Sequence, residues 1–184
     1  MKEAVALFAR KGFTDTTMMD VARACRASKS RLFYYFSSKE DILKVAVLAY
    51  ARRQERELER IKTMTLPAEE RLTLYVDAYA RCAAAFRDEH LILLRESKRL
   101  DAASREVCRL LRNEITTFLG GLLAEIKPGL QAYALRTEFY SLLLLGMMSS
   151  CWNSQRGPAM ASDFDIQINT LFLDGIRQCT GADP

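Results

Sequence analysis

The chain has 184 residues, of which 49% are hydrophobic and 27% charged, which is ordinary globular composition with enough chain for a substantial core. Residues 1–62 carry 14 basic and 8 acidic side chains, a net +6, whereas residues 63–184 carry 13 and 15, a net −2. The N-terminal third is therefore the candidate surface for a polyanionic partner, although solvated helix faces would explain the same charge.

Residue usage argues against an enzyme, a metal site and a cofactor. The sequence has one histidine, His90, no glycine-rich phosphate loop and no Cys-x-x-Cys pair. The five cysteines are scattered, as in a reduced cytoplasmic protein. No signal peptide is apparent, and the longest apolar run, residues 139–152, is too short to span a bilayer. We expect a cytoplasmic protein with no membrane partner.

Helix signals dominate the sequence, and only 8 Gly and 4 Pro interrupt them, so we predict an all-α fold. An apolar stripe predicts a first helix over residues 1–11, ended by Gly12. Thr17 followed by Asp20 resembles a capping box for a second helix over 18–25. Ser28 is a good N-cap for a third helix over 29–36.

The remaining helices are longer. Ser37 or Ser38 is predicted to cap a fourth helix that runs to about residue 61, and a linker follows over 62–66. Breaks at Pro128-Gly129 and Gly157-Pro158 help to delimit the others. Their predicted ranges are 67–87, 89–98, 102–126, 130–155 and 162–178.

The first three helices, two of them joined by a tight corner, predict a helix-turn-helix. In the third helix, Leu32 and Phe36 are four residues apart and are expected to face the core. The opposite face carries Lys29, Ser30, Phe33 and Tyr34, which suits a DNA major groove. The alternative is that the whole aromatic run 33–36 is core.

The stretch "ALFARKGFTDTTMMDVARACRASKSRLFYYFSSKEDIL" resembles the N-terminal DNA-binding domain of TetR-family (TetR/AcrR type) transcriptional regulators. The resemblance covers roughly the first 43 residues without a gap. It implies a DNA-binding domain over 1–44 and a helical effector-binding and dimerisation domain over 45–184. It further implies a homodimer that binds a palindromic operator in double-stranded DNA, and most often a repressor released by a small-molecule effector.

The resemblance also assigns roles to individual residues. Those expected to meet bases or phosphates, or to line the groove wall, are Thr17, Ser28, Lys29, Ser30, Arg31, Phe33, Tyr34, Tyr35 and Lys39. Two positions depart from the family pattern, because Arg26 stands where Gly is usual and Phe33 where Tyr is usual. An arginine at a backbone position that needs positive φ would be strained. The chain also begins inside the first helix, so either a basic N-terminal arm is missing or the true start lies upstream.

For the larger C-terminal part, the resemblance implies an effector pocket and a dimer interface. The candidate pocket residues are Tyr75, Tyr79, Phe86, Arg99, Phe118, Tyr140 and Trp152. Segment 93–106 looks like one found in relatives that respond to acyl-CoA-like effectors, with Arg95, Lys98, Arg99 and Arg105 as anion contacts, although a solvated face explains them equally well. The effector is therefore expected to be hydrophobic or acyl-CoA-like.

The two most apolar helices near the C-terminus are the candidates for the dimer interface, or else for internal core. The proposed interface residues are Leu144, Met147, Met148, Ile168, Leu171 and Phe172. Two alternatives to a ligand-released repressor stay open at this point: an effector-independent DNA-binding or architectural protein, and a transcriptional activator.

Overall fold

The computed structural model describes residues 1–132, 134–150 and 164–178, and within these ranges all regular structure is helical. The all-α prediction is thereby confirmed. The helices are α1 Lys2–Lys11, α2 Met18–Ala24, α3 Lys29–Tyr35, α4 Lys39–Lys62, α5 Ala68–Ala85, α6 Arg87–Glu96, α7 Ala102–Ile126, α8 Ala134–Ser150 and α9 Phe164–Gln178, with 3-10 turns at Ser97–Arg99 and Pro128–Ala132. Among these helices, none is both long and apolar enough to cross a membrane.

The helices form two compact units. Unit 1 consists of Met1–Arg53 together with Phe86–Arg109. Unit 2 consists of Gln54–Ala85 and the described residues from Leu110 onward. The chain therefore leaves unit 1 within α4, returns to it for α6, and leaves it again within α7.

Side-chain caps define the start of each helix around the predicted helix-turn-helix. The Thr17 hydroxyl accepts from the Asp20 N–H at 3.1 Å while the Asp20 carboxylate accepts from the Thr17 N–H at 3.0 Å, which confirms the predicted capping box. Ser28 caps α3 by accepting from the Arg31 N–H at 3.2 Å. At the start of α4, Ser38 and Asp41 exchange the same reciprocal pair of hydrogen bonds.

The turn between α2 and α3 closes as a Schellman motif. The Ala27 N–H donates to the Ala22 carbonyl at 2.9 Å and the Arg26 N–H donates to the Arg23 carbonyl at 3.1 Å. This pattern places its C′ residue in the left-handed region, where glycine is usual. Here Arg26 adopts φ +51°, so the strain anticipated for an arginine at this position is present.

The core of unit 1 is built from residues of all its helices. Phe8, Phe13, Val21 and Leu32 come from the first three helices and their connections, and α4 adds Ile42, Leu43 and Val47. Ile92 of α6 and Leu100, just after the 3-10 turn, complete the same cluster. Residues far along the chain therefore stabilise the helices that carry the candidate site.

Unit 2 is a helical layer in which α9 packs against α5 and α8. Its fully buried residues include Leu72, Val76, Leu119, Leu144 and Met148. Gly120 permits a close approach of α7 and α8, since a Cβ there would lie 3.2 Å from the Ser141 hydroxyl oxygen. The Lys127 ammonium donates to the Ile176 and Arg177 carbonyls and so satisfies the C-terminal end of α9.

Candidate nucleic-acid interface

The α3 helix presents its polar and aromatic face to solvent. Leu32 is buried in the core of unit 1, whereas the side chains of Tyr34 and Tyr35 are 82% and 65% exposed and that of Phe33 is 42% exposed. The sequence-based assignment of an inner and an outer face is therefore confirmed for these residues. The structure excludes the alternative that the whole aromatic run is core.

The outer face of α3 is also positively charged. Lys29 and Arg31 are exposed, and neither forms an ion pair with the residues that the structure describes. The Lys29 ammonium lies 5.9 Å from the centre of the Phe33 ring. Exposed cations that have no acidic neighbour and stand beside aromatic rings are suited to phosphate and base edges.

Thr17 and Ser28 are exposed at the starts of α2 and α3, where their hydroxyls already serve as caps. The Thr17 hydroxyl also donates to the Asp20 carboxylate at 2.9 Å. Ser30 lies 3.2 Å from Ser28, hydroxyl to hydroxyl. All three residues are exposed, and a contact with DNA by them stays a prediction.

Lys39 has a structural role that the sequence did not reveal. Its ammonium donates to the carbonyls of Phe13, Thr14 and Thr16 at 2.8, 3.0 and 2.9 Å, and it lies 4.7 Å from the centre of the Phe13 ring. All three N–H donors of the ammonium are thus engaged with the connection between α1 and α2. The predicted phosphate contact by Lys39 would have to replace one of these bonds.

Asp20 adds a second link between the same elements. Lys11 donates to its carboxylate at 2.7 Å, and this hydrogen bond, with those from Thr17, holds the pKa of Asp20 well below its ordinary value. The carboxylate is therefore ionised at any working pH. Its charge is balanced locally and does not oppose an anion at α3.

The candidate effector residues fall in both units. In unit 2, the Tyr75 ring meets Phe118 edge to face with centroids 5.5 Å apart, and the Tyr79 hydroxyl lies 2.8 Å from that of Ser149. Tyr140 is half-buried on α8. Trp152 lies outside the described residues.

The Tyr75 hydroxyl is buried and makes no hydrogen bond to the residues that the structure describes. Burial is the main reason that the pKa of this phenol is raised well above its ordinary value. A hydroxyl in this state is an available partner for a polar group of a ligand.

Phe86 and Arg99 belong to unit 1 instead. Phe86 lies beneath the Arg53 guanidinium, 4.1 Å from the ring centre. Arg99 donates to Glu96 at 2.8 Å and to the Thr14 hydroxyl at 2.7 Å, and its guanidinium is 5.5 Å from the centre of the Phe13 ring. Arg99 is thus bound to the connection between α1 and α2 within unit 1, and its predicted place in a pocket with Tyr75 has no support in these contacts.

Two of the four basic residues predicted to contact an anion in segment 93–106 already bond to other groups of the chain. Arg105 donates to the Leu100 carbonyl at 2.5 Å, and Arg99 is engaged as described above. Lys98 is exposed on the 3-10 turn, and Arg95 is exposed at the end of α6. These contacts favour a structural role for Arg99 and Arg105.

The predicted dimer residues need a correction. Leu144, Met148, Ile168 and Phe172 are buried within their own chain, so they belong to the core of unit 2 and offer no surface to a partner. Met147 is half-buried and Leu171 is exposed. Composition alone could not show which residues of α8 and α9 point inward, because each helix carries apolar residues on its exposed side as well as on its buried side.

A different apolar face of α8 is exposed. Leu135 and Phe139 are 83% and 57% exposed, and Leu142 and Leu143 are also exposed. Their spacing of three and four residues places them side by side along the helix. Gly146 continues the row with open space around it. Exposed apolar residues gathered on one face mark a candidate surface for a partner.

Comparison with known families agrees with both halves of the chain. A family model described as bacterial regulatory proteins of the tetR family matches residues 1–46. A second model, described as a tetracyclin repressor-like C-terminal domain, matches residues 65–176, more than half of the chain.

The chain belongs to the TetR family.

Relatives of this TetR-family protein include the HTH-type transcriptional regulator HbdR of Aromatoleum sp. (strain CIB), 34% identical over 103 residues, which are 55% of this chain and 44% of HbdR. The chain spans less than half the length of the curated relatives that it matches.

Solved structures of TetR-family regulators share the fold. A regulator from Bordetella parapertussis 12822 superposes with a TM-score of 0.87 at 24% identity, over 98% of this chain and 95% of that one. AibR, solved in complex with isovaleryl coenzyme A and operator DNA, superposes with a TM-score of 0.76 at 19% identity, over 94% and 93%. The chain therefore has the N-terminal helix-turn-helix domain and the C-terminal helical domain of the TetR family, and its relative HbdR is a transcriptional regulator.

Replacing Lys39 by Ala removes three hydrogen bonds from an ammonium to backbone carbonyls, and we expect it to lower the free energy of unfolding by roughly 1–3 kcal/mol. Urea denaturation followed by circular dichroism measures the change. Lys29→Ala is the matched control, because Lys29 is exposed and makes none of these bonds. Equal stability of the two variants would show that the carbonyl contacts of Lys39 contribute little.

Proposed function

We propose that this TetR-family regulator is a repressor that binds a palindromic operator as a homodimer and is released from it by a small-molecule effector. The observation that carries the proposal is the outer face of α3, where Lys29, Arg31 and Tyr34 are exposed and the two cations form no ion pair within the part of the chain that the structure describes. We also propose that residues 1–44 form the DNA-binding domain and that residues 45–184 form the effector-binding and dimerisation domain.

In the proposed complex, α3 lies in the major groove. Lys29, Ser30 and Arg31 at its first turn meet bases or phosphates, and Phe33, Tyr34 and Tyr35 lie along the groove wall. Thr17 at the start of α2 and Ser28 at the start of α3 contact the DNA backbone and so fix the orientation of the reading helix. Lys39, at the start of α4, joins these contacts by exchanging one of its carbonyl bonds for a phosphate. Two such helices in a dimer read the two half-sites of a palindrome.

The experiment that tests this proposal starts with a duplex selected by the wild-type protein from a random-sequence pool. Fluorescence anisotropy then compares the affinity of the wild-type protein with that of the double variant Lys29→Ala, Tyr34→Ala, at two salt concentrations. We expect loss of selective binding and a shallower salt dependence in the variant, with an unchanged fold. Selective binding by the double variant would remove the outer face of α3 from the interface.

We propose that the dimer forms through the exposed face of α8 defined by Leu135, Phe139, Leu142 and Leu143, together with Leu171 of α9. A second copy of the chain is the partner that a palindromic site requires, because two-fold symmetric DNA is read by a two-fold symmetric protein. Gly146 and Gly175 have open space around them, which allows close approach of a facing helix.

Replacing Phe139 by Glu places a charge in this face and is expected to convert the dimer to a monomer, since burying an unpaired carboxylate is costly. Sedimentation velocity at micromolar protein measures the oligomeric state. Leu110→Glu, at an equally exposed leucine of α7, is the control and should leave the dimer intact. A dimeric Phe139→Glu variant would place the interface elsewhere.

The proposed effector is hydrophobic or acyl-CoA-like and carries a polar group that bonds to Tyr75. The aromatic residues Tyr75, Tyr79 and Phe118 of unit 2 suit an apolar ligand, and the buried Tyr75 hydroxyl suits its polar group. AibR, with the same fold, was solved with isovaleryl coenzyme A, which makes an acyl-CoA thioester a reasonable first probe.

Release of DNA has a physical route in unit 1. The family model of the C-terminal domain includes α6 and the 3-10 turn, yet Ile92 and Leu100 belong to the core beneath the helix-turn-helix. Arg99 bonds directly to Thr14 between α1 and α2. An effector that favours a shifted α6 by about 1–3 kcal/mol would displace the reading helix through these contacts.

Two matched variants test Tyr75. Tyr75→Phe removes a hydroxyl that lacks a partner among the described residues, so stability should be unchanged or higher by up to about 1 kcal/mol. Tyr79→Phe breaks the hydrogen bond to Ser149 and should cost about 1 kcal/mol. Urea denaturation measures both free energies of unfolding.

The same pair distinguishes effector binding from packing. Isothermal titration with isovaleryl coenzyme A, and with coenzyme A alone as the control ligand, should show weaker binding of the thioester by Tyr75→Phe than by the wild-type protein. A clear loss of stability in Tyr75→Phe would mean that the hydroxyl is bonded in the folded protein. If none of the tested ligands releases the protein from the operator, an effector-independent regulator is favoured. If the protein stimulates transcription, an activator is favoured.

A further inference from the structure

We propose that Arg26, in the turn between α2 and α3, contacts a DNA phosphate from a backbone position whose conformation disfavours arginine. The proposal rests on α3 being the DNA-reading helix and extends the interface to the turn before it. Its support comes from the backbone of the turn, from the surroundings of the side chain and from the position of the turn relative to α3.

The backbone of the turn would be more stable with another residue. Arg26 is the left-handed residue of the Schellman motif, with φ +51°, and it is the one residue other than glycine that has positive φ in the described part of the chain. Glycine adopts this conformation without a steric cost. Residues held in this sparsely populated backbone region by the surrounding structure cluster at functional sites.

The side chain of Arg26 has no partner within the described residues. It is exposed, and no hydrogen bond or ion pair of its guanidinium is found among them. The nearest acidic residue along the chain, Asp20, accepts from Lys11 and Thr17 and lies 3.8 Å from the Arg23 guanidinium. The guanidinium is therefore available to an anion from outside the chain.

The turn lies where the backbone of bound DNA is expected. Arg26 precedes the N-cap of α3, Ser28, by two residues, and the exposed cations Lys29 and Arg31 follow at once. In a helix-turn-helix, the N-terminal residues of the reading helix contact base edges while the preceding helix crosses the DNA backbone. The turn that joins these two helices is therefore expected near the phosphates that flank the contacted bases. A guanidinium can bind a phosphate through two parallel N–H donors. We therefore expect Arg26 to contact a phosphate, since a base contact would require its side chain to enter the groove.

A set of substitutions at one position separates charge from strain. Arg26→Gly removes both the charge and the strain, Arg26→Asn removes the charge and tolerates positive φ, and Arg26→Lys keeps both. Arg112→Ala removes the charge of an exposed arginine of α7 in unit 2 and serves as the control. Each protein is titrated by fluorescence anisotropy against the selected duplex and against a mixed-sequence duplex at several salt concentrations, and its melting temperature is measured in the same buffer.

Arg26→Gly is expected to gain stability and lose affinity together. Its melting temperature should rise by about 2–4 °C because the strain is relieved. Its affinity should fall on the order of tenfold for both duplexes, with the salt slope lower by about one per protomer. Arg26→Asn should show the same loss of slope, and Arg26→Lys and Arg112→Ala should keep the wild-type slope.

Two results would overturn the proposal. In one, Arg26→Gly and Arg26→Asn bind both duplexes as tightly as the wild-type protein with an unchanged slope. In the other, Arg26→Lys loses as much slope as Arg26→Gly, which would exclude a contact based on charge. A failure of the broader proposal is distinguishable from both, because the double variant at Lys29 and Tyr34 would then retain selective binding.

Discussion

A helix of seven residues is not stable in water by itself, and the architecture of unit 1 follows from that constraint. The α3 helix buries Leu32 and leaves most of its remaining surface to solvent, so its position depends on its neighbours. Ser28 caps its first turn, and the Schellman motif sets the direction in which the chain enters it from α2. The core formed by α1, α2, α4 and α6 holds its buried side in place. The outer face of α3 can stay exposed because the neighbouring helices supply the stability.

The connection between α1 and α2 is where these supports meet. Phe13 is buried there, and the Lys39 ammonium and the Arg99 guanidinium both lie close to its ring. One cation comes from the start of α4 and the other from the end of the α6 segment, so a single short loop joins three parts of unit 1. A displacement of either cation would change the geometry of the loop and, through α2, that of the reading helix.

The sequence predicted local structure well and long-range structure poorly. The caps at Thr17 and Ser28 and the two faces of α3 depend on residues within a few positions of one another, so spacing and residue type sufficed. The strain at Arg26 was expected from the resemblance to the TetR family, in which glycine is usual at that position. The contact of Arg99 with Thr14 joins residues far apart in sequence, and nothing local indicated it. The same holds for Lys39, whose carbonyl partners precede it by more than twenty residues.

The helices α8 and α9 illustrate a second limit. Their residues are apolar on more than one face, so periodicity could not separate core from surface, and Leu144, Met148, Ile168 and Phe172 were assigned to the wrong side. The packing of α5, α8 and α9 against one another decides that these side chains point inward. Leu135 and Phe139 carried no distinguishing signal in sequence, because an exposed apolar residue on an apolar helix resembles its buried neighbours.

The docking of α6 into the core of unit 1 also bears on how such regulators diversify. A reading head defined by residues 1–46 alone would lack Ile92 and Leu100 and would expose the apolar surface that they cover. Recombination that exchanged sensing domains at a boundary near residue 46 would therefore join surfaces that had never been fitted to each other. A reading head transferred from this chain with its core intact would have to include segment 86–109 as well as the N-terminal residues.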